Sequence, residues 1–261
     1  MKKADSMDKI VTKLSEYMDF IRLCQQKDYP ALSKGNDKIL FRGHGNKEWK
    51  CLPKLFRNKK WFNNEKNIID EVLRRAPEAF NDLSPFEILV KMQHYGVPTR
   101  LLDFTGNPMV ALYFACSDKT QIDKDGTVLV AKTPMFFESR LPVISILDRL
   151  FPNVESIFAN LNRQAINMIN AESLCMGIIP KLSNPRIKNQ EGYFVLYTYA
   201  GDYKEVFNPL EENGSIVERI VIPSQNKNEI LEELNFLGIN EALIFPELEI
   251  QIKYIVERYS R

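Results

Sequence analysis

A chain of 261 residues, 44% hydrophobic and 26% charged, supplies a substantial core and excludes intrinsic disorder; 11 Gly and 14 Pro exclude a collagenous or low-complexity class as well. No uncharged apolar run reaches the ~18 residues a membrane helix needs, and Asp5 and Asp8 stand where an export signal carries its apolar stretch. The expectation is a cytoplasmic protein with no membrane partner. The net charge of +1 hides an asymmetry: residues 1–60 hold fifteen Lys/Arg against seven Asp/Glu, and residues 209–257 hold three against ten. Either the first segment offers a positive face to a polyanion, or the two ends of one domain neutralise each other.

Ser6 is placed to cap a helix running to about Gln26, in which Ile10, Leu14, Tyr17, Met18, Ile21 and Cys24 recur at three-to-four spacing. Lys38–Gly43 reads as a short strand, and 44–62 as a basic, aromatic loop. Helices follow over about 64–76 and 84–95; the second opens on Ser84-Pro85 with Glu87 three positions after the cap, a capping box. Arg100–Thr105 is a brief strand. Asn107 caps, and Pro108 begins, a helix to 117 that is apolar on nearly every side and therefore central.

Gly126–Thr133 is the next strand, and 143–172 reads as helical in two pieces. Strands at Gly192–Tyr199 and Ile216–Ile222 precede helices at Ser224–Leu237 and 247–259. No linker divides the chain. The pattern predicts a single mixed α+β domain over 37–261 with an N-terminal helical addition over 1–36.

Four cysteines stand far apart without a CxxC pair, and His44 and His94 are the two histidines, so no metal site is expected and the thiols read as buried small hydrophobes. The stretch Gln93–Thr105 gathers His, Tyr, Thr, Arg, Asp and Thr into thirteen residues that also hold a turn and a strand. A core segment of that length does not collect so many polar groups without partners for each. Strand alternation puts Arg100, Leu102 and Phe104 on one side, and Leu101, Asp103 and Thr105 on the other, just ahead of a helix N-terminus. The plainer alternative is an internal Arg100–Asp103 pair that stabilises the turn. Arg42, at a strand end beside Gly43, can fork two bonds to a pyrophosphate or carboxylate, or cap nearby carbonyls.

Phe41-Arg42-Gly43, the 93–115 run ending Ala111-Leu112-Tyr113-Phe114-Ala115, the Pro185–Phe194 run and Ile244-Phe245-Pro246-Glu247-Leu248 together resemble the FRG domain family, over roughly residues 38–256. The order of parts is also similar to the ADP-ribosyltransferase fold: an arginine on an early strand, a Ser/Thr-containing strand feeding an Ala-x-x-Phe-Ala helix, and a late strand opened by Gln or Glu. That second resemblance implies a central split antiparallel sheet, NAD as substrate, an unidentified nucleic-acid or protein acceptor, and by analogy of fold a role as toxin or phage-defence effector. It implies that Arg42 and Gly43 hold the NAD phosphates and that Asp103 and Thr105 support the nicotinamide pocket. His94, Tyr95, Thr99, Arg100 and Tyr113 fall in the same cofactor region, although Tyr113 in an apolar helix also reads as core. The catalytic position is shared among Gln190, Glu191 and Glu247.

Two other readings stand beside this one. Lys54, Arg57, Lys59 and Lys60, interleaved with Trp49, Phe56 and Trp61, suit a single-stranded nucleic acid; equally, the loop lies on the surface with its tryptophans plugging the core. A non-catalytic interaction module using the N-terminal amphipathic helix is the third.

Overall fold

The computed structural model describes residues 8–27, 37–137, 175–182, 184–197, 203, 208–212 and 215–260. Its seven strands are β1 (Lys9–Ile10), β2 (Asp37–His44), β3 (Leu101–Thr105), β4 (Gly126–Phe137), β5 (Cys175–Ile179), β6 (Gly192–Tyr197) and β7 (Ile216–Ile222), in the order β1-β7-β4-β2-β3-β6-β5. β5 also pairs with the far end of β4, so the sheet curls and closes on itself.

The sheet is mixed rather than antiparallel. β1 runs parallel to β7 and β5 parallel to β4; the long connection between β4 and β5 lets the chain re-enter in the same direction, which a hairpin cannot do. The seam between β2 and β3 is thin, with one register pair, Phe41 opposite Thr105. By contrast β2 pairs with β4 along its whole length.

Period-two alternation distributes the core. Leu40, Leu102, Phe104, Leu129, Ala131, Val195 and Tyr197 face the inside of the curl, where Cys51, Leu52, Leu55 and Phe56 fill the space. The basic loop is thus not all loop. A 3₁₀ turn at Lys54–Arg57 drops Leu55 and Phe56 into this core, and the short helix α2 (Lys59–Asn63) follows, capped by the Asn58 side chain. Trp49 and Trp61, expected as the plug, are both partly exposed.

The outer face carries two helical layers. Helix α3 (Glu65–Arg75) and helix α4 (Pro85–His94) cover β3, β5 and β6 through Ile69, Phe86, Leu89 and Met92. The capping box at Ser84 and Glu87 is formed. The central helix α5 (Pro108–Cys116) lies on β2 and β4, with Asn107 accepting from the Met109 N–H at 2.9 Å. Its even apolarity follows from contact on every side: the sheet beneath, helix α1 (Leu14–Gln26) and the later helices above.

The first helix begins at Leu14, not near Ser6. Lys9–Ile10 is extended and spends its backbone on Ile220–Val221 of β7; Ser6 lies outside the described residues. Leu14, Tyr17, Ile21 and Cys24 are buried against the central core, so the stripe proposed for a partner is used internally. The end-to-end charge balance is also partly internal, since Lys27 pairs with Glu218.

After β5 come the short helices α6 (Pro185–Asn189) and α7 (Pro209–Glu212), neither expected from the pattern. Then follow α8 (Lys227–Phe236), α9 (Glu241–Ile244) and α10 (Leu248–Tyr259). Lys227, fully buried, donates to the carbonyls of Gly45 (2.7 Å) and Gln121 (2.8 Å), and so fastens α8 to the loop after β2. The helices expected over 143–172 and the end of the strand at 198–199 lie outside the described residues. No helix among the described residues is long and apolar enough to cross a membrane.

Candidate functional site

At the thin β2–β3 seam a cleft of about 270 Å³ opens. Its walls are Phe41, Arg42 and Gly43 of β2, Asp103, Phe104 and Thr105 of β3, and Gly192, Tyr193 and Phe194 of β6. Val90, Gln93 and His94 of α4, Phe114 of α5, and the segment from Asn184 through Arg186 and Ile187 to Gln190 complete it.

Arg42 reaches across the seam. Its Nη1 donates to the Asp103 backbone oxygen (2.5 Å) and its Nε to His44 Nε2 (3.0 Å). No carboxylate among the described residues pairs with it, and the remaining guanidinium N–H groups keep their capacity to donate. Arg57 and Arg219 lie close enough to act on the same neighbourhood, and both help to keep His44 neutral.

His44 is buried, and desolvation first, then Arg42, depress its pKa to about 2. An unfolded histidine titrates near 6.5. Below that pH the unfolded chain takes up a proton that the folded one refuses, so this contribution to stability is intact above pH 6.5 and is lost as the pH falls. Wild-type stability should therefore drop about 1.4 kcal/mol more per pH unit between pH 6 and 4.5 than that of His44→Gln, which keeps an acceptor for Arg42. Urea unfolding at several pH values checks this; parallel curves for the two proteins would refute it.

Asp103 is the one carboxylate among the residues that line the cleft. Gln93 Nε2 donates to its Oδ1 (2.7 Å), and Thr99 in turn donates to Gln93 Oε1 (2.5 Å), so a buried hydroxyl orients the amide that orients the acid. Thr105 is fully engaged: its hydroxyl donates to the Gln190 carbonyl (2.5 Å) and accepts from the Asn107 N–H (2.9 Å).

The three candidates for the catalytic position separate. Gln190 lines the cleft, but its Nε2 donates to the Ile244 carbonyl (3.0 Å). Glu191, in the left-handed region at φ 44, turns its carboxylate to Asn107 Nδ2 (3.3 Å) above the start of α5 and is not part of the lining. Glu247 stands at the rim: its Oε1 is 3.5 Å from Arg186 Nη1 and 3.9 Å from His94 Nε2, both cleft residues.

Of the cofactor-region residues, Arg42, Gly43, His94, Asp103 and Thr105 line the cleft, whereas Tyr95, Thr99, Arg100 and Tyr113 do not. Tyr95 is exposed, and Tyr113 is buried in the central core, which raises its pKa to about 12. Arg100 pairs with Glu65 (2.6 Å), not with Asp103; the alternation that puts Arg100 and Asp103 on opposite sides of β3 forbids the internal pair. Gln93 and Arg186 were not singled out as site residues, although each stands inside a motif run; their roles depend on partners distant in sequence.

Of the basic set, Arg57, Lys59 and Lys60 line a separate open groove of about 800 Å³ with Asn58, Asn63, Asn64 and Tyr203, while Lys54 donates instead to the Gly96 carbonyl (2.7 Å). Among the described residues no three of His, Cys, Asp and Glu converge as metal ligands.

Residues 37–124 match the family model of the FRG domain. The match covers about a third of the chain and includes Phe41-Arg42-Gly43. No curated protein and no solved structure matches the chain. The FRG segment runs from β2 past α5 and supplies Phe41–Gly43, the α4 side chains, Asp103–Thr105 and Phe114 to the cleft. The opposite wall, from Asn184 to Phe194, comes from beyond it. The Arg42 of the FRG motif thus tethers the seam, and its Gly43 lets α5 lie against β2.

Proposed function

We propose that the cleft takes the nicotinamide–ribose half of NAD and that the protein transfers ADP-ribose to a macromolecular acceptor. The observation that carries this reading is the convergence of Arg42, His94, Asp103 and Gln190, from separate stretches of chain, on one cleft in which Arg42 has no carboxylate partner among the described residues. A volume of about 270 Å³ lies just under the ~300–1,000 Å³ of whole-ligand pockets. One half of a dinucleotide enters, and the rest extends from the mouth.

Chemistry of this class breaks the bond between ribose C1′ and the nicotinamide nitrogen, and positive charge grows on the sugar as in glycoside cleavage. The Asp103 carboxylate, fixed by Gln93, stabilises that charge, and Arg42 offsets the pyrophosphate. Nicotinamide leaves with the bonding electrons. A nucleophilic oxygen or nitrogen of the acceptor then attacks C1′ and gives up its proton to a nearby base, for which Glu247 at the rim is placed.

Calorimetry with NAD and a nicotinamide-release assay on the full chain test this. Wild type binds; Arg42→Ala weakens binding about 10- to 100-fold, and Asp103→Asn lowers turnover by about 10²-fold or more while leaving binding largely in place. Absence of both binding and release in wild type ends the proposal. A second reading, nucleic-acid binding without catalysis, is favoured by the groove of Arg57, Lys59 and Lys60, which no acid lines among the described residues. Steeply salt-dependent oligonucleotide binding in a protein inert to NAD would select it.

A further inference from the structure

The cleft has a neighbour. A second hollow of about 400 Å³ lies between α4 and the start of α6, with Pro180 and Lys181 at its far end. Val90 and His94 on one bank, and Asn184 and Ile187 on the other, line both hollows, so the two are lobes of one groove. Jointly they fall within the ~300–1,000 Å³ of whole-ligand pockets, a size that the cleft alone does not reach.

The second lobe has the make-up of a purine site. Phe86 and Pro180, both buried, join Val90 and Ile187 in an apolar floor. Tyr95 supplies a free aromatic wall: it is 73% exposed, and its ring stands nearly perpendicular to that of His94, with the centres 5.1 Å apart. An open ring held against a residue of the divide offers a face on which a base can stack.

The polar groups of this lobe are few and of complementary kinds. Asn184 Oδ1 accepts from the Arg186 N–H (2.8 Å), so the amide Nδ2 is the end that keeps its capacity to donate. Glu87 Oε2 accepts from the Ser84 N–H (2.9 Å) and hydroxyl (2.7 Å), whereas its Oε1, 3.7 Å from Lys181, remains an acceptor. One acceptor and one donor match adenine, whose N6 amine donates beside ring nitrogens that accept. Hypoxanthine presents the reverse, an oxygen acceptor at position 6 beside an N1–H donor.

We propose that this second lobe holds the adenosine half of NAD. The base lies on the Phe86–Pro180 floor against Tyr95, its N6 amine donates to Glu87, and a ring nitrogen accepts from Asn184. The proposal rests on the reading of the cleft as the nicotinamide–ribose site. It also gives a place to Tyr95, which the cleft itself leaves out.

Calorimetry of the full chain with NAD, nicotinamide mononucleotide and nicotinamide hypoxanthine dinucleotide is the test. NAD binds at least about tenfold tighter than the mononucleotide, and the hypoxanthine analogue binds about tenfold more weakly than NAD. Tyr95→Ala weakens NAD by about tenfold and leaves the mononucleotide unchanged, while Tyr95→Phe keeps full NAD affinity because the ring makes the contact. Both variants melt as wild type does, since the side chain is largely exposed. A mononucleotide that binds as tightly as NAD overturns the adenosine lobe and leaves the reading of the cleft in place. So does a Tyr95→Ala protein with undiminished NAD affinity, or an analogue that matches NAD. Binding of neither NAD nor the mononucleotide ends the reading of the cleft, and this proposal with it.

Discussion

Gly43→Ala is expected to destabilise the protein by at least ~3 kcal/mol and to lower its melting temperature by roughly 10 °C. A Cβ at Gly43 would fall 1.9 Å from the Ala111 carbonyl oxygen, 2.7 Å from the Ala115 nitrogen and 2.9 Å from Phe114 Cβ. Two of these are backbone atoms of α5, so no side-chain rotation relieves the contact, and the helix itself has to lift. It is held from both sides, for Val110, Ala111, Leu112, Ala115 and Cys116 are all buried in the central core. Gly126 on β4 is the companion position, where a Cβ would meet the Ala115 carbonyl oxygen at 2.3 Å. Two glycines on neighbouring strands thus seat one helix directly on the sheet.

Gly96→Ala is the control: its φ of +85° makes alanine strained, but nothing lies within 4 Å, so the cost is about 1 kcal/mol. Thermal and urea unfolding of the two variants decide the matter. A Gly43→Ala protein as stable as wild type would show that α5 is not seated as described. Because α5 also places Asn107 and Phe114 beside the cleft, an activity defect in Gly43→Ala is a packing effect and does not by itself report a ligand contact.

Local signals carried much of this fold. Ser84, Pro85 and Glu87 specify a helix start within four residues, as do Asn107 and Pro108, because a cap is a bond between near neighbours. Alternation in Leu101–Thr105 set Leu102 and Phe104 together on the inner side of the curl and Leu101, Asp103 and Thr105 on the other, since a strand's period needs no distant partner; that α3 and α4 also bury Leu101 there is a long-range outcome. Long-range choices were not legible. β5 reads as five unremarkable residues, Cys175–Ile179, and becomes a strand only because β4 and β6 offer it free edges. The cleft shows the same division. Arg42 and Asp103 stood out as charged groups in short strands, but that Gln190 would spend its amide on Ile244, and that Glu191 would turn toward Asn107, depends on how α6 and α9 meet.

Arg100 illustrates the largest such displacement, from ligand contact to internal support, and yields a second strong expectation. Its guanidinium lies 5.6 Å from the ring centres of both Phe56 and Phe62, which themselves lie 5.2 Å apart, and its Nε is 2.7 Å from both Glu65 carboxylate oxygens. Both side chains are more than nine-tenths buried. Glu65→Ala strands a cation in the core and should cost about 3–5 kcal/mol, a large share of the 5–15 kcal/mol that typically holds a domain together. Removing both charges, as Glu65→Leu with Arg100→Met, should recover most of that loss, because two desolvated ions are replaced by apolar groups of similar volume. Urea unfolding of the two single variants and the double completes the cycle, and a double variant no better than the worse single one would contradict the assignment.

The pair anchors the first turn of α3 beneath the start of β3, three residues before Asp103, so its loss loosens the strand that carries the cleft's acid. NAD titration of Arg100→Met/Glu65→Leu well below its melting temperature separates the two roles. Affinity within about twofold of wild type identifies Arg100 as internal support, whereas a loss comparable to that of Arg42→Ala in a protein of undiminished stability would return Arg100 to the binding site.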